Sequence, residues 1–251
     1  MGGVSHEPVP EAYVGVWQRT LLEVAGDERE AGSLVFWLQT PHWHGDLRLP
    51  VQRPDFSGCE RLSDCTPEQR RWLVRQKGFA GITQISAAPA HGDAPASFCQ
   101  WHRQVDYQPT RRTRDYGRIV FYPDGQALDE FGVDTEYRET WVRLPQSTGS
   151  TAAWRKNGRR EDSSGDAPSF GELLLVAGSC FFYLRDRAVQ LPAINHLEAL
   201  ADDPAATTYL DMELSTGRWD ADVQSGEVLH STLPWCEGRT IRADAGWVPA
   251  A

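Results

Sequence analysis

Apolar and polar positions alternate over short runs along most of the chain, and this period of two predicts half-buried β-strands. In the N-terminal half, strands are expected over 13–19, 34–38, a stretch ending at Leu49-Pro50, 79–86, 98–107, 118–122 and 126–130. In the C-terminal half they are expected over 137–143, 180–184, a stretch ending at Leu191-Pro192, 208–214, 217–223, 227–233 and 239–243. Two helix signals interrupt the pattern. Thr66 can cap, Pro67 suits the opening position, Gln69 completes a capping box and Gly78 ends the segment. Asn195, with Glu198 three residues on and Pro204 as a stop, repeats the signal.

The two halves follow one plan. Tyr13, Trp17 and Arg19 recur as Tyr137, Trp141 and Arg143, each shifted by 124 positions. Each motif leads to an apolar strand, a second strand ending in Leu-Pro, a helix and four more strands. Short strands with one helix per half argue for antiparallel sheets closed into barrels, not βαβ units. The expected organisation is therefore mainly β, with a first barrel over 10–134 and a second over 135–247. The polar stretch 147–169 reads as a loop inside the second.

Gly15-Val-Trp17 is similar to the opening of lipocalin-like (calycin) barrels. More closely, the segments beginning at Tyr13, Trp37, Asp46 and Cys99, with Gly132 through Trp141, resemble an uncharacterised tandem-barrel family, the Hri-type proteins. The resemblance implies two tandem antiparallel lipocalin-like β-barrels side by side, each with one short helix. It implies no activity. The second half has Glu139 where the signature glycine would stand.

Composition narrows the classes. A net charge of −10 disfavours nucleic acid or an anionic membrane as a partner, and no run of about 18 apolar residues could span a bilayer. The basic cluster Arg111, Arg112 and Arg114 reads as a solvated loop. Ten tryptophans suggest aromatic-filled interiors. Five cysteines without a CxxC pair read as reduced thiols in a cytoplasmic protein, with Cys99 a core residue and not a nucleophile. The chain has no Gly-x-Ser-x-Gly elbow, phosphate loop or dinucleotide fingerprint. His42-x-His44 could ligate a metal, but the downstream ligands of a cupin are missing, so no metal and no cofactor is expected.

The candidate chemistry lies in the first half alone. Alternation places His102, Gln104 and Asp106 on one face of a strand, and Trp101, Arg103, Val105 and Tyr107 on the other. It likewise places His42, His44, Asp46 and Arg48 together, opposite Trp43 and Leu47. Two functions fit. The first is a binding protein holding a small, largely apolar ligand in the first barrel, through Trp37, Asp46, Arg48, Trp101, Arg103, Tyr107 and Glu130. The second is a cofactor-independent isomerase, cyclase, hydratase or decarboxylase with His102 and Asp106 as its acid–base pair. The competing structural account makes Arg48, Arg103, Glu139 and Arg143 an internal ion-pair network, and a polar strand face one that simply meets water. The second half is expected to be structural support, and a homodimer is an open option.

Overall fold

The structure is a computed structural model and describes residues 7–24, 27–29, 32–109, 113–159 and 168–250. The first sheet contains β1 (Gly15–Val24), β2 (Asp27–Arg29), β3 (Ser33–Gln39), β4 (Trp43–Pro50), β5 (Lys77–His91), β6 (Ala94–Asp106), β7 (Asp115–Phe121), β8 (Ala127–Gly132) and β9 (Tyr137–Arg143). Its pairing is antiparallel throughout, and β9 returns to β1 to close an eight-stranded barrel, with β2 as a short extension on β1. The second sheet contains β10 (Thr151–Arg159), β11 (Pro168–Ala177), β12 (Cys180–Arg185), β13 (Glu213–Asp220), β14 (Ser225–Ser231), β15 (Thr240–Arg242) and β16 (Val248–Pro249). Its order is β15-β14-β13-β12-β11-β10-β16, a curled half-barrel whose two edge strands do not meet among the described residues.

Closure of the first barrel corrects the expected pair of duplicate barrels. Tyr137–Arg143 does not open a second copy; it is the strand that completes the first. The two similar motifs lie side by side, with Trp17 opposite Arg143 and Arg19 opposite Trp141. They are alike because both strands send a tryptophan into the same interior, where Trp17 and Trp141 are fully buried. The chain leaves the first sheet after Arg143, one strand beyond the division expected at residue 134.

The first helix forms as its capping box predicts. Helix α1 (Pro67–Leu73) has Gln69 N–H donating to Thr66 Oγ1 at 3.3 Å, and Thr66 N–H donating to Gln69 Oε1 at 2.6 Å. The second signal yields only a 3₁₀ turn, Leu197–Leu200, in which His196 and not Asn195 holds the capping position without a side-chain bond. A further 3₁₀ segment, Pro204–Leu210, takes the first part of the strand expected over 208–214, and β13 begins only at Glu213. Conversely, β10 and β11 occupy ground expected to be loop or unassigned. The run Leu173-Leu-Leu-Val-Ala177 lacks alternation because both its faces are covered, a pattern that periodicity does not distinguish from a buried helix.

The half-barrel buries one face against the outside of the closed barrel. Leu173, Leu175, Phe182, Leu184 and Leu214 share a core with Trp43, Leu47, Leu49, Trp72 and Leu73. The sheets approach closely at Gly45, where an added Cβ would stand 2.3 Å from Phe182 Cδ1. Arg187, just after β12, donates to the carbonyls of Tyr107 at 2.7 Å and Asp106 at 3.2 Å, clamping the end of β6. The second sheet thus holds β4, β5 and β6, which carry much of the candidate site.

Candidate functional site

The closed barrel is filled largely by its own aromatic residues. Trp17 stacks on Trp37 with centroids 6.3 Å apart, and Trp37 meets Trp101 and Trp141 edge-on at 5.6 and 6.0 Å. Tyr13 and Phe121 close one end against Trp17. Beside them a bonded chain satisfies the buried polar groups. Trp37 Nε1–H donates to Gln39 Oε1 at 3.2 Å, Thr83 Oγ1–H donates to the same oxygen at 2.7 Å, and His44 Nδ1 lies 3.0 Å from Thr83 Oγ1. Burial, with the Arg103 charge and the His102 ring nearby, lowers the His44 pKa to about 3, so its imidazole is neutral. His44 is therefore part of the core, and Nε2 has no partner among the described residues.

Ionisable side chains gather at the other end, the mouth. Arg48 grips Asp46 with two bonds of 2.7 and 3.0 Å. Arg103 lies 3.6 Å from the centre of the Phe79 ring and binds Asp115 at 2.6 and 2.9 Å and Asp106 at 2.8 Å. Arg19 pairs with buried Glu139. Opposite Glu139 across β8 and β9 is Glu130, which accepts a 2.7 Å hydrogen bond from Tyr137 Oη. Burial, reinforced by Glu139, raises the Glu130 pKa to about 8, so the carboxyl carries a proton at neutral pH.

These residues border several spaces, among them an inner cavity and a larger opening. A small inner cavity of about 20 Å³ is walled by Trp37, Phe79, Trp101 and Trp141, with Asp46, Arg48, Asp115 and Glu130 at its polar side. Outside it lies an opening of about 840 Å³ that shares Arg48, Trp101 and Asp115 with the cavity and extends past Arg103, Tyr116 and Tyr137. The inner volume suits one water-sized group, so the interior cannot enclose a ligand-sized apolar guest. The mouth can receive one.

Trp37, Asp46, Arg48, Trp101 and Glu130 all meet at the inner cavity, and Arg103 borders it through Phe79 and Asp115. His102 and Asp106 are not brought together as a pair. Ala80 pairs with Val105 but Gly81 pairs with Arg103, so Gln104 is an extra residue and the strand bulges. Gly81 permits this, since a Cβ there would sit 2.0 Å from the His102 carbonyl oxygen. Beyond the bulge the alternation inverts. Asp106 turns to Arg103, whereas Val105 and Tyr107 join the core between the sheets. Tyr107 is fully buried with its hydroxyl on the Leu73 carbonyl, away from the mouth. His102 reaches only the rim, with Nε2 3.1 Å from Gln84 Oε1.

No protein-family model and no curated protein sequence matches the chain. Its fold is similar to that of an uncharacterised protein of Saccharomyces cerevisiae, YLR301w, solved by crystallography. The TM-score is 0.50, at 15% identity over 86% of this chain and 84% of that one. The likeness extends across both sheets and concerns the fold alone.

The residues missed from sequence are Phe79, Asp115, Tyr137 and Trp141 as members of one site, and Arg19 as the partner of Glu139. Tyr137, Trp141 and Arg19 were visible as the repeated motif, but their meeting depends on β9 closing onto β1. Arg114 pairs with Asp134 at 3.0 Å beside the opening, and Arg111 and Arg112 lie outside the described residues. Among the described residues no group of three or more His, Cys, Asp or Glu could hold a metal ion, and no helix is long and apolar enough to cross a membrane.

Proposed function

We propose that the protein binds a small organic molecule at the mouth of its closed barrel. The observation that carries this reading is the opening of about 840 Å³, set over a buried polar and aromatic floor that the chain's own side chains leave accessible. The ligand lies outside the filled interior, with an apolar body against Trp101, Tyr116 and Tyr137 and polar groups near Arg48, Arg103 and Asp115. A barrel rigidified by a second sheet suits such a role, because a preformed site avoids the ordering cost of binding. The motifs similar to Hri-type proteins make that group the place to look for the same mouth.

Native mass spectrometry of the protein from its own source tests the reading. A retained small-molecule mass that disappears from Thr113→Trp, which fills the opening from its rim, supports it. No retained mass, together with unchanged tryptophan fluorescence on titration with a panel of small polar molecules, overturns it.

An enzymatic reading shifts from His102 and Asp106 to Glu130. A buried carboxyl protonated near neutrality and bordering an open cavity has the character of a general acid. Turnover abolished in Glu130→Gln with ligand affinity retained would favour it.

A further inference from the structure

We propose that the molecule held at the mouth is a primary amine, whose ammonium head enters the inner cavity beside the Glu130 carboxyl group. The inference rests on the binding role proposed above and names the ligand's chemistry.

Size, walls and charge agree. The cavity of about 20 Å³ admits a group the size of water, which an ammonium head matches and a trimethylammonium or guanidinium exceeds. Three indoles and a phenyl ring wall it, and aromatic rings attract cations, as the Arg103 guanidinium 3.6 Å from the Phe79 ring centre shows at its border. Its ionisable lining is three carboxyl groups, Asp46, Asp115 and Glu130, against one guanidinium, Arg48. With Glu130 protonated, Asp46 and Asp115 balance Arg48 and Arg103, and neither guanidinium is left over for an anion, whereas an ammonium can be matched by ionising Glu130.

The carboxyl groups are not equivalent. Both oxygens of Asp46 are held by Arg48, and Asp115 is held by Arg103. Among the described residues Glu130 has one hydrogen bond, from Tyr137 to Oε1, and Oε2 receives none. The side chain is 5% exposed and borders the cavity, so the carboxyl edge that Tyr137 does not occupy is the one open to a group entering there.

The groups that face Glu130 set the linkage. Glu139 on β9 and Asp115 on β7 oppose its ionisation, Arg48 on β4 and the Tyr137 hydroxyl favour it, and Arg19 on β1 is taken up by Glu139. The Cys99 thiol on β6 is also close enough to feel its charge. An ammonium beside Oε2 adds the missing positive charge, the carboxyl ionises and its proton passes to the buffer. The carbon body of the amine remains in the outer opening beside Trp101 and Tyr137, since that opening shares Arg48, Trp101 and Asp115 with the cavity.

Calorimetric titration at pH 7 with phenethylamine, its N,N,N-trimethyl analogue, 2-phenylethanol and phenylacetate tests the inference. The primary amine is expected to bind at least roughly tenfold more tightly than the other three. Repeating the titration in buffers of different ionisation enthalpy should show about one proton released per amine bound. Glu130→Gln should bind the amine roughly tenfold more weakly and release no proton. Equal affinity for amine and alcohol, or no proton release from wild type, overturns the inference whether or not the variant folds. If phenylacetate binds best, or the molecule retained from source lacks a basic nitrogen, the mouth remains a binding site and only the amine is wrong. If none of the probes binds and nothing is retained, both proposals fall.

Discussion

Glu130 and Glu139 face each other directly across β8 and β9, yet only Glu139 is paired with a guanidinium, that of Arg19. Two neighbouring buried carboxyls cannot both ionise cheaply, and the one without a paired cation keeps its proton. The Glu130 pKa is raised to about 8 from the ordinary 4.5. The folded state therefore holds a proton that the unfolded chain releases above pH about 4.5, and stability falls as pH rises from there to about 8. Glu130→Gln should remove this loss, making the variant more stable than wild type at pH 8.5 by on the order of a few kcal/mol, with little difference at pH 4. Urea midpoints of both proteins at the two pH values check it.

His44 predicts the opposite slope. Its pKa is lowered to about 3, so the folded state refuses a proton that the unfolded chain accepts below its ordinary 6.5. Stability should fall as pH drops through that window, by up to about 1.4 kcal/mol per pH unit from this residue. His44→Gln should flatten the acid limb. In wild type, the His44 ring resonances should not titrate between pH 5 and 8 by NMR.

Gly45 is a packing requirement of the contact between sheets. Gly45→Ala puts a methyl 2.3 Å from the Phe182 ring, a clash expected to cost about 1–3 kcal/mol. Adding Phe182→Leu should recover part of that loss, so the two changes will be less than additive in thermal unfolding. Full additivity would mean that the ring and the glycine do not meet.

Arg103 joins Asp106, Asp115 and the Phe79 ring, and its side chain is 29% exposed. Solvent screening reduces what these pairs contribute, so Arg103→Leu should destabilise by about 1–3 kcal/mol at pH 7. Burial already raises the Asp106 pKa against the pull of Arg103, and without that cation it rises further. The deficit should therefore shrink as pH falls and Asp106 takes up a proton. Denaturant titrations at pH 4.5 and 7 distinguish this from a loss of packing alone.

Local patterns were legible in the sequence where the cause was local. The strand expected over 13–19 forms from Gly15 onward, with Tyr13 in a preceding 3₁₀ turn, and the Thr66–Gln69 capping box is satisfied by neighbours in the chain. So was the gathering of Asp46, Arg48 and Glu130, which needs only alternation and closure. Three features depended on distant partners. The bulge at Gln104 is set by Gly81 on the next strand, so residues 98–109 give no sign that His102 and Asp106 separate. The similarity of Tyr13–Arg19 to Tyr137–Arg143 looked like duplication because adjacent strands of one barrel share an environment. The 173–177 run escaped notice because it is buried on both sides.

The notch at Gly45 also bears on how the chain emerges from the ribosome. All strands of the closed barrel precede residue 144, so the barrel can shut before Phe182 is synthesised. Until then Trp43, Leu47 and Leu49 have no cover from the half-barrel. A truncated product stopping there would display an adhesive apolar patch, and the later sheet acts as the lid that makes the earlier one sociable.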